Sequence, residues 1–150
     1  MRSSDSLKSS WVVSCRDSSK TVWGEVKVWG GMSSTCVKMI TMKPGARTSL
    51  KYNTLKDEML ICTSGRVRAY YSDEQLIKNN TGDLSVSDLT PGTALVVQSE
   101  CLYRLEAIEE STIVEVSSGK DGSVRFDDDY GREVFKNEHV EKIIKKWWRN

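Results

Sequence analysis

This sequence of 150 residues has little histidine, no long apolar run and almost no excess of either charge. It contains one histidine, His139, which excludes a metal site built from several imidazoles and leaves Ser–His or Cys–His catalysis to that residue alone. His139 lies in a stretch of helical periodicity near the C-terminus. We therefore interpret it as a packed or surface histidine rather than a catalytic one.

Other classes of protein are excluded by what is missing. No apolar run exceeds about four residues, whereas a transmembrane helix needs about 20, and the N-terminus lacks the apolar core of a signal peptide. The 22 Lys and Arg residues nearly balance 21 Asp and Glu, which argues against a dedicated nucleic-acid-binding protein. The sequence predicts one soluble, cytoplasmic domain that binds neither membranes nor nucleic acid.

The cysteines do not indicate a metal site, a redox site or a disulfide framework. The sequence has four of them, and none forms a C-x-x-C pair, the spacing that is typical of zinc ribbons and thioredoxin-like sites. Without a secretory signal, a disulfide framework is not expected either. We interpret all four as half-buried thiols on strands.

Short strands dominate what is present. Residues 1–21 form a Ser-rich arm, with one short strand expected at its apolar island Trp11–Val13; residues 22–132 form the body, and 133–150 a helical end. Within the body, eight segments rich in Val, Ile, Thr, Tyr or Trp alternate with Gly and Pro-Gly turns. They are Val22–Trp29, Thr35–Met42, Thr48–Asn53, Glu58–Thr63, Arg66–Tyr71, Thr93–Val97, Cys101–Glu106 and Thr112–Val116. This spacing predicts an all-β barrel or sandwich.

Alternation within the strands gives side-chain directions. In Cys101–Glu106 the period of two places Tyr103 inside the barrel and Arg104 and Glu106 outside. The polar stretch Ser72–Leu89 is predicted to be a long loop between two halves, each of which contains a Pro-Gly turn.

The pattern changes to helical near the C-terminus. Val140, Ile143, Ile144 and Trp147 recur at helical spacing, and Asn137 precedes them as an N-cap. An amphipathic C-terminal helix is therefore predicted. We expect it to cover the barrel or a sheet edge; a dimer contact anchored by Trp147 and Trp148 is the alternative.

Several stretches together resemble a known family. The segment KPGARTSLKYNTLKDEMLICTSGRVRAYY is similar to the first cupin motif, LVVQSECLYRLEA to the second, and VEVSSGKDGSVRFDDDYGR to the ending that follows. The match is to the cupin domain of type II mannose-6-phosphate isomerases, the C-terminal part of the bifunctional isomerase/mannose-1-phosphate guanylyltransferases. It implies a cupin fold, that is, a double-stranded β-helix or jelly-roll barrel. No segment resembles the guanylyltransferase, so that activity is not expected.

The resemblance fails at the metal site. Lys51, Asn53, Glu58 and Tyr103 occupy the positions where the family holds one divalent metal. Glu58 alone remains a strong ligand, and Lys51 places an ammonium group where a neutral ligand stood. We therefore predict a cupin with neither metal nor another cofactor.

Two interpretations of these substitutions stay open. In the first, Lys51 neutralises Glu58 while Asn53 and Tyr103 form hydrogen bonds around them, so that the cluster plugs the barrel. In the second, the barrel mouth binds an anionic sugar. The candidate ligand-binding residues are then Lys51, Asn53, Lys56, Glu58, Tyr103, Arg125 and Arg132. Alternatively, Arg125 and Arg132 pair with the aspartates at 127–129 and orient the C-terminal segment.

The leading functional hypothesis is a metal-free cupin that binds a sugar phosphate or nucleotide sugar, or serves as a non-catalytic module. The alternative is an active mannose-6-phosphate/fructose-6-phosphate isomerase, with Glu58, Lys51 and Tyr103 as candidate catalytic residues. Metal-free epimerisation or ketoisomerisation of a nucleotide sugar ranks last, because His139 lies outside the barrel. By analogy with other cupins, we expect a homodimer.

Overall fold

The computed structural model describes residues 7–149 and is mostly β-structure. Its helices and strands in chain order are β1 (Asp17–Lys20), β2 (Gly24–Trp29), β3 (Thr35–Met42), β4 (Leu50–Asn53), β5 (Lys56–Ser64), β6 (Val67–Tyr71), α1 (Gln75–Lys78), β7 (Ser85–Leu89), β8 (Ala94–Val97), β9 (Tyr103–Ala107), β10 (Ser111–Gly119), β11 (Ser123–Asp127) and α2 (Glu138–Trp148). None of the helices within residues 7–149 has the length and apolar character needed to cross a membrane.

The strands form two antiparallel sheets. The first has the order β1-β2-β3-β10-β5-β8 and the second β11-β4-β9-β6-β7. Between them lies an apolar core that includes Met42, Leu60, Cys62 and Ile113. Consecutive side chains of a strand point to opposite faces, so each strand also sends side chains outward. The predicted all-β barrel with a C-terminal helix is confirmed.

A second apolar cluster covers the outer face of the second sheet. Helix α2 packs Val140, Ile143 and Ile144 against Leu50, Leu102 and other outward-facing residues. The side chain of Asn137 caps the helix by accepting hydrogen bonds from the backbone N–H groups of His139 and Val140. Trp147 and Trp148 meet Tyr70 edge-on, with ring centroids 5.7 and 5.1 Å apart. The tryptophans therefore pack on their own chain, and the homodimer stays a prediction.

Two local predictions need correction, and one strand was not predicted. The arm forms its strand at β1 rather than at Trp11–Val13, because β1 can pair with β2; residues 1–6 lie outside the described part. The predicted loop Ser72–Leu89 contains α1 and β7, and β7 pairs with β6 although its residues are mostly polar. Strand β11 also went unpredicted, since it owes its position to pairing with β4.

Candidate functional site

Strands β4 and β5 place polar side chains in the barrel interior. On β4, the outward-facing Leu50 and Tyr52 join the cluster beneath α2, so the intervening Lys51 and the following Asn53 face inward. On β5, alternate residues are buried, and the polar ones are Lys56 and Glu58. Gly119, with φ +97°, lets β10 pass closely beside this hairpin: a Cβ there would lie 2.3 Å from the carbonyl oxygen of Leu55.

Tyr103 and Glu58 form the shortest polar contact of the interior. The Tyr103 hydroxyl donates to Glu58 Oε2 at 2.6 Å, and the two residues are only 3% and 2% exposed. Burial, reinforced by the negative charge of Glu58, holds the pKa of Tyr103 well above its ordinary value. The phenol therefore remains a hydrogen-bond donor to the carboxylate.

Lys56, rather than Lys51, pairs with Glu58. Its Nζ lies 3.5 Å from Glu58 Oε1 and 3.7 Å from Asp121 Oδ1. This corrects the expected Lys51–Glu58 pair, and the reason is local: Lys56 is two residues before Glu58 on the same face of β5. Burial acts to lower the pKa of Lys56, but the surrounding carboxylates outweigh it and the pKa is raised.

Asn53 also differs from its predicted role. Its side-chain amide donates to Asp121 Oδ1 at 3.1 Å and Ser123 Oγ at 3.4 Å, and its Oδ1 accepts from the backbone of Leu55. These bonds fasten the β4–β5 turn to the β10–β11 loop. None of these bonds involves Glu58, so Asn53 does not join the Glu58 hydrogen bonds.

Glu115 on β10 is an interior acid that sequence reasoning missed. It is 5% exposed, and its Oε2 lies 3.8 Å from Lys38 Nζ yet has no hydrogen-bond partner among the described residues. Burial and the neighbouring Glu58 charge raise the pKa of Glu115. Its inward direction was not recognised in the sequence because its neighbours Val114 and Val116 are apolar. The buried alternation of Ile113, Glu115 and Ser117 was the signal that could have shown it.

Tyr103 and Glu115 border a cavity of about 120 Å³ between the sheets, whereas Asn53, Lys56 and Glu58 lie outside its lining. Its polar wall consists of three cations, one carboxylate and three hydroxyl groups: Lys38, Lys51, Arg132, Glu115, Thr48, Ser49 and Tyr103. The cations therefore outnumber the carboxylate at its surface. Trp23 and several aliphatic side chains complete the lining.

Lys51 has a distinctive environment in this cavity. Its Nζ lies 5.9 Å from the centroid of the Tyr103 ring, and within residues 7–149 it makes no side-chain hydrogen bond or ion pair. Burial lowers the pKa of Lys51, and the nearby charges of Lys56 and Arg125 act in the same direction, against Glu58 and Glu115. The net result is an amine that gives up its proton more readily than a surface lysine.

The two C-terminal arginines have different surroundings. Arg132 lies at the cavity, where its guanidinium donates to Asp128 Oδ1 at 2.8 Å. Arg125 pairs in register with Lys51 and therefore faces the interior; its buried Nε has no hydrogen-bond partner among the described residues. The predicted pairing with neighbouring aspartates thus holds for Arg132 and is wrong for Arg125, which makes no ion pair in that part of the chain.

The other two aspartates of residues 127–129 form ion pairs on the outer face of the second sheet. Asp127 binds Arg104 and Arg149, and Asp129 binds Arg47. Arg104 faces away from the interior, as predicted, but it is completely buried because α2 covers it. The ending that resembles the isomerases therefore fastens the C-terminal segment to the barrel.

The donors at the four family positions do not suit a divalent metal. Glu58 is already engaged by Tyr103 and Lys56, Asn53 is turned to Asp121, and Lys51 brings a cation. Among the described residues, no group of three His, Cys, Asp or Glu side chains is arranged to hold a metal ion. A metal-dependent mechanism therefore finds no support in this donor set.

No known sequence family and no curated protein matches the chain significantly. Its structure is similar to KdgF from Halomonas sp. (TM-score 0.54, 14% identity, covering 64% of this chain and 78% of that one). It is also similar to oxalate decarboxylase from Bacillus subtilis, with a TM-score of 0.60 and 17% identity over 73% of this chain and 29% of that one. A third similar structure is the capsular polysaccharide assembling protein CapF from Staphylococcus aureus, with a TM-score of 0.62 and 11% identity over 73% of this chain and 31% of that one. The chain spans less than a third of the last two proteins. At these identities the likeness shows the fold: the chain is a cupin-fold protein.

Proposed function

We propose that the barrel binds a small anionic sugar, with a sugar phosphate as the first candidate, and that it does so without a resident metal. The observation that carries this proposal is Lys51, a cation at the cavity wall with no ion-pair partner within residues 7–149. Lys51 is half-buried, and a cation partly withdrawn from water without a counter-ion is destabilised. An anionic ligand would supply the missing charge.

The size and lining of the cavity support a ligand of this class. A volume of about 120 Å³ is close to the ~150 Å³ of an apolar cavity that accepts benzene, so one ring or one phosphate fits inside. Thr48, Ser49 and Tyr103 place hydroxyl groups at the cavity for a polar ligand. Arg132 adds positive charge there, while its Nε and Nη2 stay bonded to Asp128. The rest of a larger ligand would extend past the cavity mouth.

The choice of sugar phosphate rests on the sequence resemblance. The stretches that resemble type II mannose-6-phosphate isomerases favour mannose 6-phosphate as the first compound to test. The structural neighbours are named for different activities, so the shared fold does not select a substrate. The cations of the cavity do favour an anion.

Calorimetry and thermal unfolding test the proposal. We expect mannose 6-phosphate to bind and to raise Tm by mass action, and mannose alone to bind more weakly. Lys51→Met should weaken binding by about tenfold or more, as loss of one charge-assisted contact predicts. The matched control is Lys120→Met, at an exposed position outside the cavity. Equal affinity in both variants, or no binding by the wild type, would contradict the proposal.

An isomerase remains the second candidate, favoured by one observation. Glu115 lines the cavity, and Glu58 is connected to it through the 2.6 Å hydrogen bond from Tyr103, which also lines it. Aldose–ketose isomerisation needs proton carriers of this kind. NMR in D2O with mannose 6-phosphate tests this through exchange of the proton on C2. Exchange that Glu58→Gln abolishes would support isomerisation, and its absence in the wild type would exclude it for this substrate.

A further inference from the structure

Three lysines project from separate strands toward the interior, and two of them are paired. Lys38 lies 3.8 Å from Glu115 Oε2, and Lys56 lies 3.5 Å from Glu58 Oε1. Lys51 has neither a hydrogen bond nor an ion pair within the described part of the chain, although it lines the same cavity as Glu115 and Tyr103. Its amine is therefore the one whose nitrogen is available to a molecule in the cavity.

The surroundings of Lys51 also suit a nucleophile. An amine attacks a carbonyl carbon only in its neutral form, and desolvation together with neighbouring cations favours that form. Burial lowers the pKa of Lys51, aided by Lys56 and Arg125 and opposed by Glu58 and Glu115. A larger share of Lys51 than of a surface lysine is thus neutral at pH 7.

Acidic groups for the accompanying proton transfers are present. Glu115 Oε2 is buried without a hydrogen bond among the described residues, 3.8 Å from Lys38 Nζ. The pKa of Glu115 is raised by burial and by Glu58, against the charges of Lys38, Lys56 and Lys51. This carboxyl group keeps its proton to a higher pH than a surface glutamate. It can donate that proton to a leaving water and recover it afterwards.

We propose that Lys51 forms a reversible imine with a small anionic aldehyde or ketone, such as the open-chain form of a sugar phosphate. The Nζ lone pair adds to the carbonyl carbon while the π electrons move to oxygen, and a proton passes from nitrogen to that oxygen. Glu115 then protonates the hydroxyl group, which leaves as water as the C=N bond forms. Addition of water reverses the sequence, and no oxidant or reductant is consumed. The inference rests on the proposed anionic ligand.

Borohydride trapping on the full chain provides the test. The protein is incubated at pH 7 with glyceraldehyde 3-phosphate and sodium borohydride, which reduces an imine to a stable amine, and peptide mapping then locates the added mass. We expect Lys51 to be labelled several-fold faster than the exposed Lys120, because a lowered pKa raises the neutral fraction of the amine. Inorganic phosphate should slow labelling at Lys51 alone.

The variant Lys51→Arg keeps the charge but cannot form this imine. It should lose the trapped adduct while still binding mannose 6-phosphate in calorimetry, and Lys120→Arg should behave like the wild type. Equal labelling of Lys51 and Lys120 in the wild type would overturn the imine whether or not the variant folds. Ligand binding without an adduct at Lys51 would also overturn it, yet leave the proposed function standing. Absence of both binding and adduct would overturn the two together.

Discussion

Tyr103 and Arg104, adjacent residues of β9, belong to two clusters of polar and charged side chains on opposite faces of one sheet. Each cluster combines buried side chains with partly exposed ones. The helix-side network consists of Arg47, Arg104, Asp127, Asp129 and Arg149, beneath the end of α2. The interior cluster consists of Lys51, Lys56, Glu58, Tyr103 and Glu115. The two clusters differ in how completely their polar atoms are satisfied.

Arg104 in the helix-side network has partners on all sides. Its Nε donates to the carbonyl oxygen of Thr48 at 2.7 Å and its Nη1 to Asp127 Oδ2 at 2.8 Å, while its guanidinium carbon lies 4.6 Å from the centroid of a Trp148 ring. In the interior cluster, Glu58 Oε1 and Glu115 Oε2 lack hydrogen-bond partners among the described residues. These two oxygens face Lys56 and Lys38 at 3.5 and 3.8 Å, so the interior holds its carboxylates by longer contacts than those that hold Arg104.

The largest effect should come from removing the centre of the helix-side network. Arg104→Ala leaves the buried Asp127 carboxylate with fewer partners, so we expect the free energy of unfolding to fall by about 3–5 kcal/mol. Urea denaturation followed by circular dichroism measures it. Arg66→Ala, which removes an exposed partner of Asp88, is the control and should change little. Similar losses in both variants would remove the distinction between buried and exposed pairs.

A smaller loss of stability is expected from removing the Trp148 ring that covers the helix-side network. Trp148→Ala removes the ring that stacks on Arg104 and meets Tyr70 edge-on, which should cost roughly 2 kcal/mol of unfolding free energy. Trp148→Phe retains an aromatic face and should recover part of that loss in the same denaturation experiment. If the alanine variant is as stable as the wild type, α2 does not stabilise the network through this contact.

The sequence was sufficient for the features that depend on local pattern. The alternation around Tyr103 gave its inward direction, and helical spacing with Asn137 gave α2 and its cap. The partners of Glu58 could not be predicted from local pattern alone. Lys56 and Lys51 are both inward-facing lysines, and only the packing of the two sheets decides which of them pairs with Glu58. Glu115 was hidden because both faces of β10 carry apolar residues. Strand β7 was missed because its pairing with β6 outweighs its polar composition.

The next prediction tests the interior cluster through pH. Because burial and the Glu58 charge raise the pKa of Glu115 in the folded protein, the native state holds a proton that the unfolded chain has already lost just above the ordinary pKa of glutamate. Stability should therefore fall as pH rises from that value to the native pKa, by at most about 1.4 kcal/mol per pH unit for one proton.

Glu115→Gln should remove this decline, whereas Glu109→Gln, at an exposed position, should retain it. Urea midpoints measured at several pH values provide the comparison. An unchanged pH profile in Glu115→Gln would show that Glu115 titrates as it does in the unfolded chain. The interior would then resemble the helix-side network in holding only satisfied charges.

The smallest effect on stability is expected from Lys51→Met, and it separates the two clusters most clearly. Without Lys51, the interior still contains the pairs Lys38–Glu115 and Lys56–Glu58, so its charges stay balanced. Replacing an unpaired, half-buried cation by an apolar side chain of similar length should leave the free energy of unfolding unchanged or slightly higher. A loss comparable with that of Arg104→Ala would mean that Lys51 is a structural counter-ion. Unchanged stability together with lost ligand affinity would show that Lys51 is needed for ligand binding and not for folding.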